Sequence, residues 1–189
     1  MIISDEFEFV YIDVPKTGSI SFERLFKEHF SGKVVPPTHD KNLSKHCREI
    51  PRHANNYKKI VSVRNPYDRA MSLYIYHLHA AKISQEEYSF VNFLDEIIEN
   101  QSKYEKENYL MYLSMYQYLS PFDMSASTYI VQLENAREQI NRLPFVSRPV
   151  EIPWRNKGLE STKSESISDD AIARINIWAV NDFELGGYQ

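Results

Sequence analysis

Twice along the chain, a short apolar run ends at a tight turn and gives way at once to a helical pattern. The first unit is FEFVYID (7–13), the turn VPKTG, then SISFERLFKEHF (19–30). The second is KKIVSVR (58–64), the dipeptide NP, then YDRAMSLYIYHLHAAK (67–82). Short β-branched and aromatic runs of this kind read as buried strands. Phe22, Leu25, Phe26 and Phe30 recur near one helical face, as do Met71, Tyr74, Ile75 and Leu78. A third strand, STYIVQL (127–133), leads into a helix over 134–143. Strands alternating with helices predict an α/β fold with a mostly parallel central sheet and helices on both faces.

The remaining segments follow the same logic. SFVNFLDEIIEN (89–100) is an amphipathic helix, and residues 104–119 place tyrosines at roughly helical spacing, which suits core and groove lining. Residues 31–57 are polar, a loop with a short helix expected near NLSKHCREI, and 148–166 is irregular. A last helix spans 168–185, opened by Ser168 as N-cap and closed by Gly186 and Gly187. At 189 residues this is one domain, 1–189, without repeats or a linker.

Composition limits the partners. The net charge of −4 argues against a general nucleic-acid binder, so any anion must be held by a local cluster. Residues 39–59 supply one candidate: Lys41, Lys45, Arg48, Arg52, Lys58 and Lys59 against only Asp40 and Glu49. The single cysteine, Cys47, allows neither an intramolecular disulfide nor a cysteine-based metal site. There is no apolar run of about 18 residues, so no membrane span is expected. The start, MIISDEFEF, lacks the basic-then-apolar order of a signal peptide. A cytoplasmic protein is the expectation.

The turn at 14–22, VPKTGSISF, has the chemistry of a phosphate cradle. Helix N-termini expose N–H groups and a positive partial charge. Gly18 permits close backbone approach, Thr17, Ser19 and Ser21 offer hydroxyls, and Lys16 adds a full charge. The lysine precedes the glycine, so this is not the G-x-x-x-x-G-K-[ST] order of ordinary ATPases and GTPases. In the second unit, Arg64 ends the strand and Ser72 lies eight residues on, within the helix. Parallel neighbours end on the same sheet edge, so Arg64 and Ser72 are placed to grip a second anionic group beside the first. Arg69 is assigned a structural part.

Together, VPKTGSISF and RNPYDRAMSLY resemble the 5′-phosphosulfate loop and the 3′-phosphate motif of the sulfotransferase superfamily, closest to its carbohydrate-sulfotransferase branch. YIVQLENARE, PWRNKG and NDFELGGY resemble later motifs of that branch, in the same order, so the likeness spans nearly the whole chain. The resemblance implies a P-loop-like three-layer fold. It also implies 3′-phosphoadenosine 5′-phosphosulfate (PAPS) as donor and 3′-phosphoadenosine 5′-phosphate (PAP) as product. The acceptor would be a hydroxylated molecule, with an anionic saccharide suggested by the basic segment. Carried over by position, Lys16, Thr17, Gly18, Ser19, Ile20 and Ser21 surround the 5′ end, Arg64 and Ser72 hold the 3′-phosphate, and Asn156 and Lys157 match the loop that closes over the nucleotide. One departure stands out: GSIS replaces the usual GST or GGT run, and Ile20 has no side-chain donor.

Transfer of this kind needs in-line placement, a cation at the leaving oxygen and a base for the acceptor proton. Lys16 fits the cation, so no metal is required. Histidine suits the base. By resemblance His46 is the first choice and His39 the second; Glu23 and Glu28 rank lower, and His77 and His79 read as structural. Two other readings remain: a nucleotide-binding module without transfer activity, and a small-molecule kinase with an unusual loop.

Overall fold

The computed structural model describes residues 1–35, 48–124, 128–154 and 167–189. Within them a five-stranded sheet runs in the order β3-β1-β2-β4-β5. The strands are β1 (Ile2–Ser4), β2 (Phe9–Ile12), β3 (Lys33–Val34), β4 (Lys58–Val63) and β5 (Thr128–Gln132). β2, β4 and β5 are parallel neighbours, while β1 pairs antiparallel with both β2 and β3. Four of the five strands therefore point the same way, with β1 alone reversed. β1 and β3 were not expected from the sequence. Each is too short to register as a periodic run and gains its bonds from the strand beside it.

The helices are α1 (Ser19–His29), α2 (Pro66–Ala81), α3 (Phe90–Glu99), α4 (Gln101–Lys106), α5 (Met115–Leu119), α6 (Ala136–Asn141), α7 (Asp169–Trp178) and α8 (Val180–Gly186). The expected helices at 19–30, 67–82 and 89–100 lie within a residue or two of α1, α2 and α3. Three expectations need correction. Residues 104–119 do not form one helix. Asn108 takes a left-handed φ of 64°, a 3-10 turn follows at Leu110–Tyr112, and Ser114 and Gln117 form a capping box that starts α5 afresh. The 168–185 helix breaks at Ala179 into α7 and α8, with Ser168 capping its start and Gly187 ending it in the left-handed region. The helix expected at 134–143 is shorter: a 3-10 turn, Leu133–Asn135, takes its start, and α6 covers Ala136–Asn141. Most of the short helix expected near NLSKHCREI lies outside the described residues.

The side chains of β2 alternate between two apolar clusters. Phe9 and Tyr11 point into one apolar cluster with Phe22, Leu25 and Phe26 of α1 and Ile140 of α6. Val10 and Ile12 point into another with Leu73 of α2, Phe93 and Leu94 of α3 and Ile175 of α7. The first cluster is dominated by phenyl rings: Phe9 lies 5.0 Å from both Phe26 and Phe145. Each such buried side chain contributes about 1.5–3 kcal/mol. Among the described residues, no helix is long and apolar enough to cross a membrane.

Candidate anion-binding active site

The C-terminal ends of β2, β4 and β5 share one edge of the sheet, and the sequence there is VPKTG, RNP and LEN. The first turn is held in an unusual shape. Lys16 has φ 69° and Gly18 φ 90°, both in the left-handed region. Glycine takes this conformation freely; for lysine it costs on the order of 1–2 kcal/mol. An added Cβ at Gly18 would meet Leu133 Cδ1 at 2.5 Å, so that leucine side chain would have to shift, but the positive φ is the main reason for glycine here.

α1 starts at Gly18 with no side-chain cap and no acid in its first turn. The other helices of ten or more residues all carry a side-chain cap: Asn65 on α2, Ser89 on α3 and Ser168 on α7. Among the described helices of ten or more residues, α1 is thus the one without a side-chain cap, an N-terminus open to an outside acceptor.

Lys16 and Arg64 meet at this turn. Arg64 Nη1 donates to the Lys16 carbonyl at 3.4 Å. The Lys16 ammonium lies 4.9 Å from the centroid of the Tyr76 ring, on α2. Burial pushes the Lys16 amine below its usual value of 10.5, and the neighbouring Arg64 and Arg69 push it the same way. Among the described residues neither Lys16 nor Arg64 forms a salt bridge with a carboxylate. Two cations beside an uncapped helix therefore face one another's repulsion, which an anion would relieve. Ser72 is half-buried on α2, one turn from Arg69, which reaches Pro15, and one turn from Tyr76, so it sits on the helix face turned toward the same loop.

The hydroxyls of the turn divide into two groups. The Thr17 hydroxyl is fully buried, donates to the Val14 carbonyl at 2.8 Å and meets Ser62 Oγ at 2.6 Å. Ser62 Oγ in turn lies 2.7 Å from the Tyr11 hydroxyl. The expectation that the Thr17 side chain faces the ligand is therefore corrected: it braces the turn from beneath and leaves only its N–H. Ser19 Oγ donates to the Val14 carbonyl at 3.1 Å and is half-buried, whereas Ser21 is buried. Ile20 is 53% exposed, so its contribution is confined to the backbone.

The second turn is closed from the far end of the chain. Glu134 Oε1 accepts the Asn65 N–H at 2.8 Å, and Glu134 Oε2 accepts the Tyr188 hydroxyl at 2.7 Å. Burial and the Glu134 carboxylate push the Tyr188 phenol well above its usual range. Arg69, given a structural part from the sequence, is fully buried and donates to backbone carbonyls.

His39, His46, Asn156 and Lys157 lie outside the described residues. Glu23 and Glu28 form surface pairs along α1 with Lys27 and Arg24. His77 packs among Tyr88, Phe93 and Tyr112, its Nδ1 3.2 Å from the Tyr112 hydroxyl. Sequence reasoning missed the Tyr11–Ser62–Thr17 chain, although a serine inside the apolar run IVSV was a visible signal. Tyr76 beneath Lys16 and Glu134 across from Asn65 carried no such mark.

No curated protein and no solved structure matches the chain. The pattern that defines the sulfotransferase family does match, over residues 1–165. That span takes in the lysine and arginine turns, the three parallel strands and the helices that follow them. With the lysine turn and the arginine turn joined at one sheet edge, and the family's pattern running through both, the chain belongs to the sulfotransferase family.

Proposed function

We propose that this domain, 1–189, has the P-loop-like three-layer fold and moves a sulfuryl group from PAPS to an acceptor hydroxyl, releasing PAP. The observation that carries the reading is the contact between Arg64 and the Lys16 carbonyl. It joins into one site two cations that, among the described residues, have no carboxylate salt bridge, which suits an anionic ligand. The left-handed turn and the uncapped α1 fit a phosphate approached by backbone N–H groups.

Lys16 and the N–H groups at the start of α1 hold the 5′ end and meet the charge that builds on the leaving oxygen. Ser19 and Ser21 border the same end. Arg64 and Ser72 hold the 3′-phosphate. By resemblance, Asn156 and Lys157 cover the nucleotide and His46, or failing it His39, takes the acceptor proton. The donor supplies the chemistry: its sulfur–oxygen bond to the 5′-phosphate breaks as a bond to the acceptor oxygen forms. A saccharide is the acceptor class we favour.

Calorimetric titration with PAP and AMP tests the site, followed by an acceptor screen with labelled donor. PAP should bind more tightly than AMP, and Arg64→Ala should narrow that gap. Equal losses for both ligands would remove Arg64 from the 3′ end. Lys16→Ala should cut transfer about 10²–10³-fold with an unchanged melting temperature; near-normal turnover would refute its role.

A further inference from the structure

We propose that Arg69 is a positioning residue for Lys16: its buried guanidinium fastens the backbone of the anion loop to the tyrosine-bearing turn at 111–113 and so fixes where the Lys16 ammonium stands. The inference rests on the reading of Lys16 as the cation at the leaving oxygen.

The guanidinium serves two separate stretches of chain. Nε donates to the Pro15 carbonyl at 3.1 Å, and Nη2 donates to the Leu113 carbonyl at 2.9 Å and the Met111 carbonyl at 3.4 Å. It lies 5.1 Å from the centroid of the Trp178 ring, and the Trp178 indole N–H donates to the Tyr112 carbonyl at 3.2 Å. Asp182, equally buried, supplies the opposing charge and accepts the Met115 and Tyr116 N–H groups at 2.8 and 2.7 Å.

The grip falls at the point of strain. The Pro15 ring fixes that residue's φ, so holding its carbonyl fixes the peptide plane leading into Lys16. Lys16 is the non-glycine residue of the loop with positive φ, and such a conformation persists only where neighbours over-determine it. Arg69 holds the carbonyl before it, Arg64 holds its own carbonyl, and the Thr17 hydroxyl ties down the residue after it. A planar fork can meet diverging carbonyls on two segments at once; a lysine ammonium at the same place satisfies one and releases the other.

Arg69→Lys keeps the charge and most of the stem, which makes it the decisive variant. Assayed well below its melting temperature, it should bind PAP within about 3-fold of the wild type while kcat falls about 10- to 100-fold, the scale expected for a reacting group displaced by about 1 Å. Amide hydrogen exchange should quicken at 14–19 and 110–116 alone. A kcat that falls only with the folded fraction, or exchange that quickens everywhere, would assign Arg69 to the core and overturn the proposal. Should the variant not fold, the wild-type Arg69 Nε–H resonance decides. It should exchange slowly and shift together with the Lys16 amide on addition of PAP; a fast-exchanging signal, or one that stays put at saturation, overturns the proposal. Failure of wild-type protein to bind PAP at all is a different result: it refutes the donor reading, while the exchange pattern of Arg69→Lys still judges the grip on the loop.

Discussion

At the scale of single residues, Lys16 carries the most information. Its backbone is strained, its amine is pushed below the usual lysine range by burial, Arg64 and Arg69, and its charge has no carboxylate salt bridge among the described residues. An arriving anion reverses that push. At an alkaline pH between the depressed value and the ligand-bound one, the free amine is partly neutral and the bound amine is protonated, so binding takes up protons. PAP titrated in buffers of different ionisation enthalpy should therefore show a heat that depends on the buffer, with the sign of uptake. Lys16→Arg should abolish that dependence. Buffer-independent heats in the wild type would mean that the amine does not meet the ligand. What the sequence makes legible at Lys16, Gly18 and Arg64 is local chemistry, a charge or a missing side chain at a turn; their roles toward a ligand belong to the proposed function. Sequence reasoning misjudged the Thr17 hydroxyl because residue type does not reveal on which side of a turn a side chain points.

At the scale of elements, the anion loop is a strand-to-helix turn braced from below. The chain Tyr11–Ser62–Thr17 links β2, β4 and the turn through buried hydroxyls. Thr17→Val keeps the shape and removes the bond, leaving buried polar atoms short of a partner at about 1–3 kcal/mol. Chemical denaturation should register that loss, and Thr17→Ser should recover most of it. A Thr17→Val protein of normal stability that fails to bind PAP would instead put the hydroxyl on the ligand. The main elements were legible because FEFVYID, KKIVSVR and their following helices have strong, simple periodicity. β1 and β3 were not, since two- and three-residue strands exist only through pairing. The break at Ala179 was equally hidden. α7 and α8 read as one helix until Asp182 is seen beneath the start of α5, a contact between residues 66 and 67 positions apart.

At the scale of the whole molecule, the two faces of the sheet are unlike. One is packed largely with phenyl rings, where Phe26 touches Phe9, Tyr11, Phe22 and Phe30. Phe26→Ala should cost about 3–5 kcal/mol, a large share of the roughly 5–15 kcal/mol that holds a domain together. A loss under about 1 kcal/mol in a denaturant titration would mean that this cluster is loosely packed. The other face ties the last helices to the site through Arg69 and Asp182, which gives the NDFELGGY stretch a mechanical part that its sequence alone could not disclose. The carboxylate of Glu134 has a consequence at this scale. By taking the Asn65 N–H, it answers the positive end of α2 from within the protein, whereas α1 has no side-chain cap. The two ends of a bound nucleotide would then be recognised by different forces, backbone dipoles together with Lys16 at one and the side chains of Arg64 and Ser72 without a helix dipole at the other. Because dissolved ions screen the second more than the first, rising ionic strength should make the protein progressively less able to distinguish a nucleotide that bears a 3′-phosphate from one that does not.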